Sequence, residues 1–154
     1  IRTGLEKPEL VLEPGRALIS SAVSLLVKVV AVKSNPAEEI VITDGGINLL
    51  PFAPYEIYPI IPISNTENEN KIIEIGDPLC MEADFLGERR LLPQMQEEDL
   101  LLVMHAGAYT ISQSIQFIKP RPGVVMIHKG KASWIRKPET FDHILALDNF
   151  DLDI

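Results

Sequence analysis

Short runs of apolar, β-branched residues constrain the fold of this chain more than any other feature of its sequence. Valine and isoleucine dominate residues 24–33, 39–43, 71–75 and 124–128. Such side chains fit the pleated surface of a β-strand better than they fit a helix. The chain also has 12 prolines, which interrupt long helices. The pattern therefore predicts a mainly β fold, a barrel or a sandwich of short strands, with one short helix near the C-terminus.

Turn sequences such as Asp44-Gly45-Gly46 and Lys129-Gly130 set the boundaries of these elements. Strands are predicted at residues 10–12, 24–33, 39–43, 71–75, 100–104, 124–128 and 132–135, and a helix at residues 139–147. Three segments are less regular. Residues 17–32 begin with alanine and leucine and also permit a helix, residues 51–62 contain prolines that predict loop or edge strand, and residues 80–92 predict irregular structure or a single helical turn.

The length and charge of the chain limit its organisation and its partners. A length of 154 residues makes one domain the default. A formal charge of −8 argues against binding to nucleic acid or to an anionic membrane surface. Residues 17–32, the most apolar run, are too short and too polar for a membrane span. The N-terminus has neither a signal-peptide layout nor an initiator methionine, so we expect a fragment or a processed product.

Cys80 is the only cysteine, so no intramolecular disulfide is possible and a reducing cytoplasm is the expected compartment. A free cysteine is either a nucleophile or proton donor, or a small buried apolar residue. The three histidines are scattered, and no Cys-x-x-Cys pair is present. The sequence therefore predicts no metal site.

Two sequence clusters combine residue types that bind charged ligands. The first is Glu13-Pro14-Gly15-Arg16, which places a carboxylate and a guanidinium on either side of a turn. Arginine suits a phosphate because its planar fork matches the phosphate oxygens. The second spans residues 76–117 and holds Cys80, Asp84 and the strand end Gly107-Ala108-Tyr109. The alternatives are a solvated turn for the first cluster and a bulge with a core tyrosine for the second. The residue types alone leave these alternatives open.

Taken in order, these motifs resemble a known family. The order is EPGR, then DGG with Asn48, then GDPLC-x-x-x-D, then LP, then an acidic turn and a strand into GAY. From Leu10 to about Leu147 the chain resembles the C-terminal part of the fold-type III pyridoxal-phosphate decarboxylases, the ornithine/diaminopimelate/arginine decarboxylase group. The resemblance implies a lyase of amino-acid metabolism with pyridoxal 5′-phosphate as its cofactor.

The resemblance also implies an architecture. Residues 1–16 would be the last strand and turn of a (β/α)8 barrel that binds the cofactor. Residues 17–154 would be a β-domain resembling a Greek-key barrel or sandwich, similar to the C-terminal domain of alanine racemase. The complete protein would be a cytoplasmic homodimer with shared active sites and an N-terminal barrel domain.

Carried over by position, the resemblance implies roles for individual residues. Glu13 would pair with the pyridinium nitrogen of the cofactor. Arg16 and Tyr109 would bind its phosphate, and Gly15 would also contact the cofactor. The resemblance therefore implies that the two clusters meet around a phosphate-bearing cofactor. Cys80 would be the general acid that returns a proton to Cα in the partner subunit's site.

Two departures from the family pattern concern the substrate. The residue after the cysteine is acidic in family members that hold a distal ammonium group, and here it is Met81. Glu82 is a possible substitute, and Asp84 matches an aspartate that we expect in the subunit interface. The arginine that diaminopimelate enzymes carry before a tyrosine is absent, although Tyr55 matches that tyrosine. We therefore expect a substrate other than diaminopimelate or ornithine.

The family's Schiff-base lysine lies on an early barrel strand, outside the matching part of this chain. Lys28 and Lys33 lie in a predicted β-domain strand and are poor candidates for that role. We therefore expect this chain alone to be inactive. The alternative function is a non-catalytic homologue that keeps the fold as a binding or regulatory module.

Overall fold

A computed structural model describes residues 9–34 and 38–148 of the chain. The elements in chain order are α1 (Arg16–Ile19), a 3-10 turn (Ser20–Ala22), β1 (Leu25–Ser34), β2 (Glu39–Thr43), β3 (Ile60–Pro62), β4 (Asn70–Gly76), β5 (Phe85–Pro93), β6 (Leu100–Val103), α2 (Thr110–Gln113), β7 (Val124–His128), β8 (Lys131–Arg136) and α3 (Phe141–Leu145). None of the described helices is long and apolar enough to cross a membrane.

Six of the strands form one sheet in the order β3-β6-β1-β2-β4-β5. Neighbouring strands are antiparallel except β2 and β4, which run parallel. The two edge strands, β3 and β5, also contact each other. A Cβ added to Gly87 of β5 would lie 2.9 Å from Cδ1 of Ile60 in β3, so the two edges meet closely. The sheet is therefore a nearly closed barrel, and the predicted mainly β fold is confirmed.

The interior of this sheet is the hydrophobic core. Val27 and Val29 of β1 and Val41 of β2 are at most 2% exposed, because successive side chains of a strand point to opposite faces. The other large core residues come from β4, β5 and β6 and from the 47–58 loop: Leu50, Tyr58, Ile73, Ile75, Leu86, Leu92, Leu101 and Val103.

The C-terminal part of the chain forms a separate hairpin and a short helix. β7 and β8 pair only with each other among the described strands, through the predicted turn at Lys129-Gly130, where Gly130 has a φ of +73°. Thr140 and His143 close a capping box at the start of α3. The predicted C-terminal helix is confirmed, although it is shorter than residues 139–147.

The structure differs from the sequence prediction at two segments. Residues 80–92 were expected to be irregular or a single helical turn, but β5 begins within them at Phe85. The strand contains a register shift and a positive φ of 47° at Arg89, and this bulge breaks the alternation that would have marked it. Residues 10–12 were expected to be a strand, but they form no strand pairing within the described ranges. Leu10 and Leu12 are 81% and 75% exposed. A strand needs a neighbour that pairs with its backbone groups, and none of the described strands pairs with this segment.

The segment that permitted both helix and strand contains both. Arg16–Ile19 is helical, and the β-branched residues that follow build β1, which begins at Leu25. The proline-rich residues 51–62 form turns and then β3, an edge strand, as the sequence predicted. The remaining predicted strands agree with the structure to within a residue or so at each end.

We predict that truncation of Leu101 in the core is costly. Leu101 is fully buried in β6, between β1 and β3. Leu101→Ala should lower the free energy of unfolding by about 2–5 kcal/mol, since the substitution removes buried apolar contacts and leaves a cavity. Urea unfolding of the chain measures this change. Leu91→Ala in β5 is the matched control, because Leu91 is 64% exposed. Equal losses in the two variants would contradict the prediction.

Candidate functional site

The two sequence clusters meet in the structure. Gly15 of the first cluster packs against the Tyr109 hydroxyl of the second, and a Cβ added to Gly15 would lie 2.7 Å from that oxygen. Tyr109 adopts a left-handed backbone conformation, with a φ of 66°, at the residue before α2. This conformation turns the chain sharply where β6 has ended. The expected approach of EPGR to GAY is therefore present.

Backbone hydrogen bonds hold this approach in place. The N–H of Gly107 donates to the carbonyl of Ser20 at 2.9 Å, and the N–H of Ala106 donates to the carbonyl of Val23 at 2.9 Å. A Cβ at Gly107 would lie 1.7 Å from the Ile19 carbonyl oxygen, so only glycine permits this contact. The turn after α1 and the segment after β6 are therefore one fixed unit.

Arg16 lies against two aromatic rings. Its guanidinium carbon is 5.6 Å from the Phe52 ring centroid and 5.4 Å from the Tyr109 ring centroid, within cation–π range. The rings of Phe52 and Tyr109 pack edge to face with centroids 6.3 Å apart. The Nη1 atom of Arg16 also forms a 2.6 Å ion pair with Oε2 of Glu56. Arg16 is therefore held by contacts with two aromatic rings and by an ion pair with a carboxylate.

Three residues of this cluster were not identified from the sequence: Phe52, Glu56 and Tyr58. Tyr58 is 3% exposed, and its hydroxyl has no partner of hydrogen-bonding geometry in the described ranges. Burial raises the pKa of Tyr58, and the charge of Glu56 raises it further, while Arg16 acts in the opposite direction. Glu56 is 40 residues from Arg16 in the chain, so no local spacing signals this contact.

Glu13 lies apart from these contacts. Its residue is exposed, and none of the hydrogen bonds or ion pairs within 9–34 and 38–148 involves its carboxylate. The structure therefore brings together Gly15, Arg16 and Tyr109 of the predicted cofactor residues and leaves the Glu13 side chain exposed to solvent.

The Cys80 segment is anchored by a buried aspartate. The Asp77 carboxylate accepts the N–H groups of Ile47 at 2.7 Å and Leu79 at 2.9 Å. A Cβ at Gly46 would lie 2.0 Å from this carboxylate, so the DGG turn needs glycine here. Burial raises the pKa of Asp77, and the two N–H donors oppose this rise. The loop that carries Cys80 is therefore tied to the DGG turn.

Cys80 itself is exposed, so it is not a buried apolar residue. Asp84 contributes its backbone carbonyl, which accepts the N–H of Asp77 at 2.9 Å. Among the described residues, no hydrogen bond or ring contact joins Cys80 to Arg16 or Tyr109. Cys80 and the Arg16 cluster are therefore separate parts of the surface of this chain.

Two of the predicted substrate residues lie on one open cleft of about 450 Å³, and Met81 and Asp84 do not line it. Tyr55 and Glu82 line this cleft together with Glu56, and β5 adds Glu88 and Arg90. Met81 is 37% exposed. The Nε atom of Arg90 is buried and has no hydrogen-bond partner within the described ranges. The cleft therefore presents carboxylates and a guanidinium, and its β5 residues were not identified from the sequence.

A second open hollow, of about 510 Å³, is lined by Tyr109 and Ser112 together with Arg121 and Arg136. Arg121 forms an ion pair with Glu139 at 3.1 Å and donates to the carbonyl of Ser114 at 2.7 Å. Tyr109 therefore contacts Arg16 and also shares this hollow with two further arginines. No group of three or more metal-ligating side chains is found within residues 9–34 and 38–148.

Comparison with known proteins identifies relatives for this site. The sequence model of the family described as pyridoxal-dependent decarboxylase, C-terminal sheet domain, matches residues 17–107. Diaminopimelate decarboxylase from Methanocaldococcus jannaschii is 35% identical over 146 residues, which are 94% of this chain and 33% of the relative. The same enzyme from Aquifex aeolicus is 32% identical over 90% of this chain and 34% of the relative.

Solved structures agree with these sequence matches. The crystal structure of diaminopimelate decarboxylase from M. jannaschii covers 96% of this chain and 35% of its own, with a TM-score of 0.86 and 33% identity. A lysine/ornithine decarboxylase from Vibrio vulnificus covers 69% of this chain and 29% of its own, with a TM-score of 0.62 and 26% identity. This chain thus spans about a third of the length of the curated relatives it matches.

These relatives correct one expectation. Met81 and the missing arginine led us to exclude diaminopimelate as a substrate. That exclusion is disfavoured, because the curated relatives named above are diaminopimelate decarboxylases. The expectation rested on single aligned positions and took no account of Arg90, which lines the cleft together with Glu82.

We predict that Asp77→Asn destabilises the chain. The amide retains one acceptor oxygen but places an NH₂ group where the second carboxylate oxygen accepts a backbone N–H. One buried N–H is then left without a partner, so the free energy of unfolding should fall by about 1–3 kcal/mol. Urea unfolding near neutral pH measures this loss. Asp142→Asn, at an exposed position of α3, is the control.

The same pair of proteins gives a pH test. The folded-state pKa of Asp77 is raised above the ordinary value of 3.8, so the folded chain binds this proton more tightly than the unfolded chain. That contribution to the free energy of unfolding is complete below pH 3.8 and is lost as the pH rises through the raised pKa. The stability gap between wild type and Asp77→Asn should therefore narrow as the pH rises through this window. A widening gap would contradict it.

Proposed function

The chain belongs to the pyridoxal-dependent decarboxylases as their C-terminal sheet domain, and from this membership we propose that the complete protein decarboxylates an amino acid. We further propose that residues 1–16 end the barrel domain and that residues 17–154 form the β-domain. The contact among Gly15, Arg16 and Tyr109 supports this proposal, because it brings together groups that can bind a phosphate from distant parts of the sequence.

The residues present fit pyridoxal phosphate. Arg16 offers a charged, planar donor fork, and Tyr109 offers a hydroxyl beside the unsubstituted Cα of Gly15. Glycine at this position leaves room for close approach of a phosphate to the backbone. Glu13 would hold the ring nitrogen protonated, and its side chain is free to reach a group outside this chain. Pyridoxal phosphate, when bound, serves as the electron sink for the carbanion left at Cα after loss of CO₂.

Cys80 is proposed as the general acid that protonates Cα. Its thiol is exposed on a loop that Asp77 fixes, as a group that acts across a subunit boundary requires. We propose that it acts in the site of a partner subunit, within a homodimer, and that Asp84 supports the same loop at the interface. Its lone thiol also favours the cytoplasm as the compartment.

We propose a substrate with charged groups at both ends, with diaminopimelate as the first candidate. The distal end of such a molecule bears an ammonium and a carboxylate. The cleft offers Glu82 for the ammonium and Arg90 for the carboxylate, with Tyr55 at its margin. Arg90 lines the cleft, so its guanidinium is the cation that we assign to the distal carboxylate.

The first prediction on function concerns turnover. The full-length protein should bind pyridoxal phosphate, with a visible absorbance band that borohydride removes, and should release CO₂ from diaminopimelate faster than from ornithine or lysine. This chain alone should show neither the band nor turnover, since the Schiff-base lysine is expected outside it. Cofactor binding without turnover of any of these amino acids would favour the non-catalytic alternative. A reducible band in this chain alone would contradict the assignment of the lysine.

The second prediction concerns Cys80. Cys80→Ala in the full-length protein should lower kcat by about 10²–10⁴-fold, because the general acid is lost. The dissociation constant of pyridoxal phosphate should stay unchanged. Met81→Ala is the control, because the neighbouring Met81 side chain has no acidic proton to donate. Unchanged kcat in Cys80→Ala would contradict the proposed role.

A further inference from the structure

Arg16 already has an anionic partner within this chain. The 2.6 Å ion pair with Glu56 uses its Nη1 atom, and the two side chains are 39% and 36% exposed. Exposed ion pairs of this kind add little to stability, because solvent screens them and both side chains lose freedom. The contact therefore calls for an explanation other than stability.

Glu56 approaches Arg16 from a rigid support. Its N–H donates to the Phe52 carbonyl at 2.9 Å, and so does the N–H of Tyr55, which together close a short helical turn. The N–H of Ala53 donates to the carbonyl of Leu50, a residue that is 1% exposed. Glu56 is therefore fixed to the core of the barrel and has little freedom to follow Arg16 elsewhere.

A buried phenol lies beside this ion pair. Tyr58 is part of the core cluster, and its hydroxyl is buried without a partner of hydrogen-bonding geometry in the part of the chain described. The charges of both Glu56 and Arg16 act on this hydroxyl. A buried hydroxyl without a partner costs stability. The ion pair between Arg16 and Glu56 therefore lies beside a buried polar group that forms no hydrogen bond with it in the described ranges.

The ion pair leaves most of the guanidinium fork available. Only Nη1 is engaged in the hydrogen bonds of the described residues, and the two ring contacts hold the plane of the group. A flexible arginine loses rotamer freedom when it binds a ligand, and a pre-oriented arginine has already lost it. Glu56 and the two rings therefore give Arg16 one orientation before any ligand arrives.

We propose that Glu56 is a positioning residue that orients the Arg16 guanidinium for a phosphate group. This inference rests on the proposed function. It assigns Glu56 no direct contact with the cofactor. A competing carboxylate would instead weaken phosphate binding, and the two roles differ in the sign of the effect when Glu56 loses its charge.

The test compares two ligands that differ only in the phosphate. Dissociation constants of pyridoxal phosphate and of pyridoxal are measured for the full-length protein by tryptophan fluorescence and absorbance. Glu56→Gln should weaken pyridoxal phosphate binding by about tenfold and leave pyridoxal unchanged, since only the phosphate uses Arg16. Glu56→Asp should recover part of the affinity. Glu98→Gln, which removes the exposed carboxylate that pairs with Lys28, is the matched control and should change neither constant.

Tyr58→Phe separates positioning from packing. The substitution removes a buried hydroxyl that has no partner in the described ranges, so the melting temperature should not fall. The Arg16–Glu56 ion pair does not use this hydroxyl, so the affinity for pyridoxal phosphate should also stay unchanged. A fall as large as that in Glu56→Gln would contradict the role assigned to the Glu56 carboxylate.

Three results would overturn the inference. Unchanged or tighter binding of pyridoxal phosphate in Glu56→Gln would make Glu56 a bystander or a competitor. Equal weakening of both ligands would show a general structural defect. Absence of cofactor binding by the wild-type protein would end the proposed function and this inference together, whereas wild-type binding with unaffected variants would end this inference alone.

Discussion

Contact between two backbone segments is the constraint on which the candidate site depends. Gly107 meets the carbonyls of Ile19 and Ser20 so closely that a Cβ at this position cannot be accommodated. One of these segments follows the Arg16 turn, and the other leads to Tyr109. Arg16 and Tyr109, which are more than 90 residues apart in sequence, therefore lie in one site because the backbone segments that carry them are packed together. The polar chemistry of the site is a consequence of this steric fit.

The nearly closed sheet explains how this contact is kept in register. β6 lies between β3 and β1, and it delivers the Gly107-Ala108-Tyr109 segment directly from its end. β1 starts just after the α1 turn and pairs with β6 from Leu25 onward. A slip of one residue between these strands would turn their buried side chains outward, so burial of the core determines the strand register. The register in turn determines where the Arg16 turn and the Tyr109 segment meet.

The sequence alone predicted the strands and the meeting of the two motifs, and its failures have physical causes. β5 was missed because a bulge near Arg89 interrupts the alternation of buried and exposed residues. The Arg16–Glu56 pair was missed because loop closure brings together residues that no periodicity relates. The motif resemblance identified residues that share a chemical role across a family. It could not identify residues such as Phe52 or Tyr58, whose roles arise only from their neighbours.

Substrate specificity illustrates the same limit. An aligned position reports which side chain a family uses at one place in the chain, and Met81 at such a position pointed away from a charged substrate. A ligand responds instead to the charges that surround it, whichever strand supplies them. Glu82, in the loop before β5, and Arg90, in β5 itself, line the same cleft. The charges that a ligand would meet there depend on both residues, so specificity must be compared over the whole cleft and not at one aligned position.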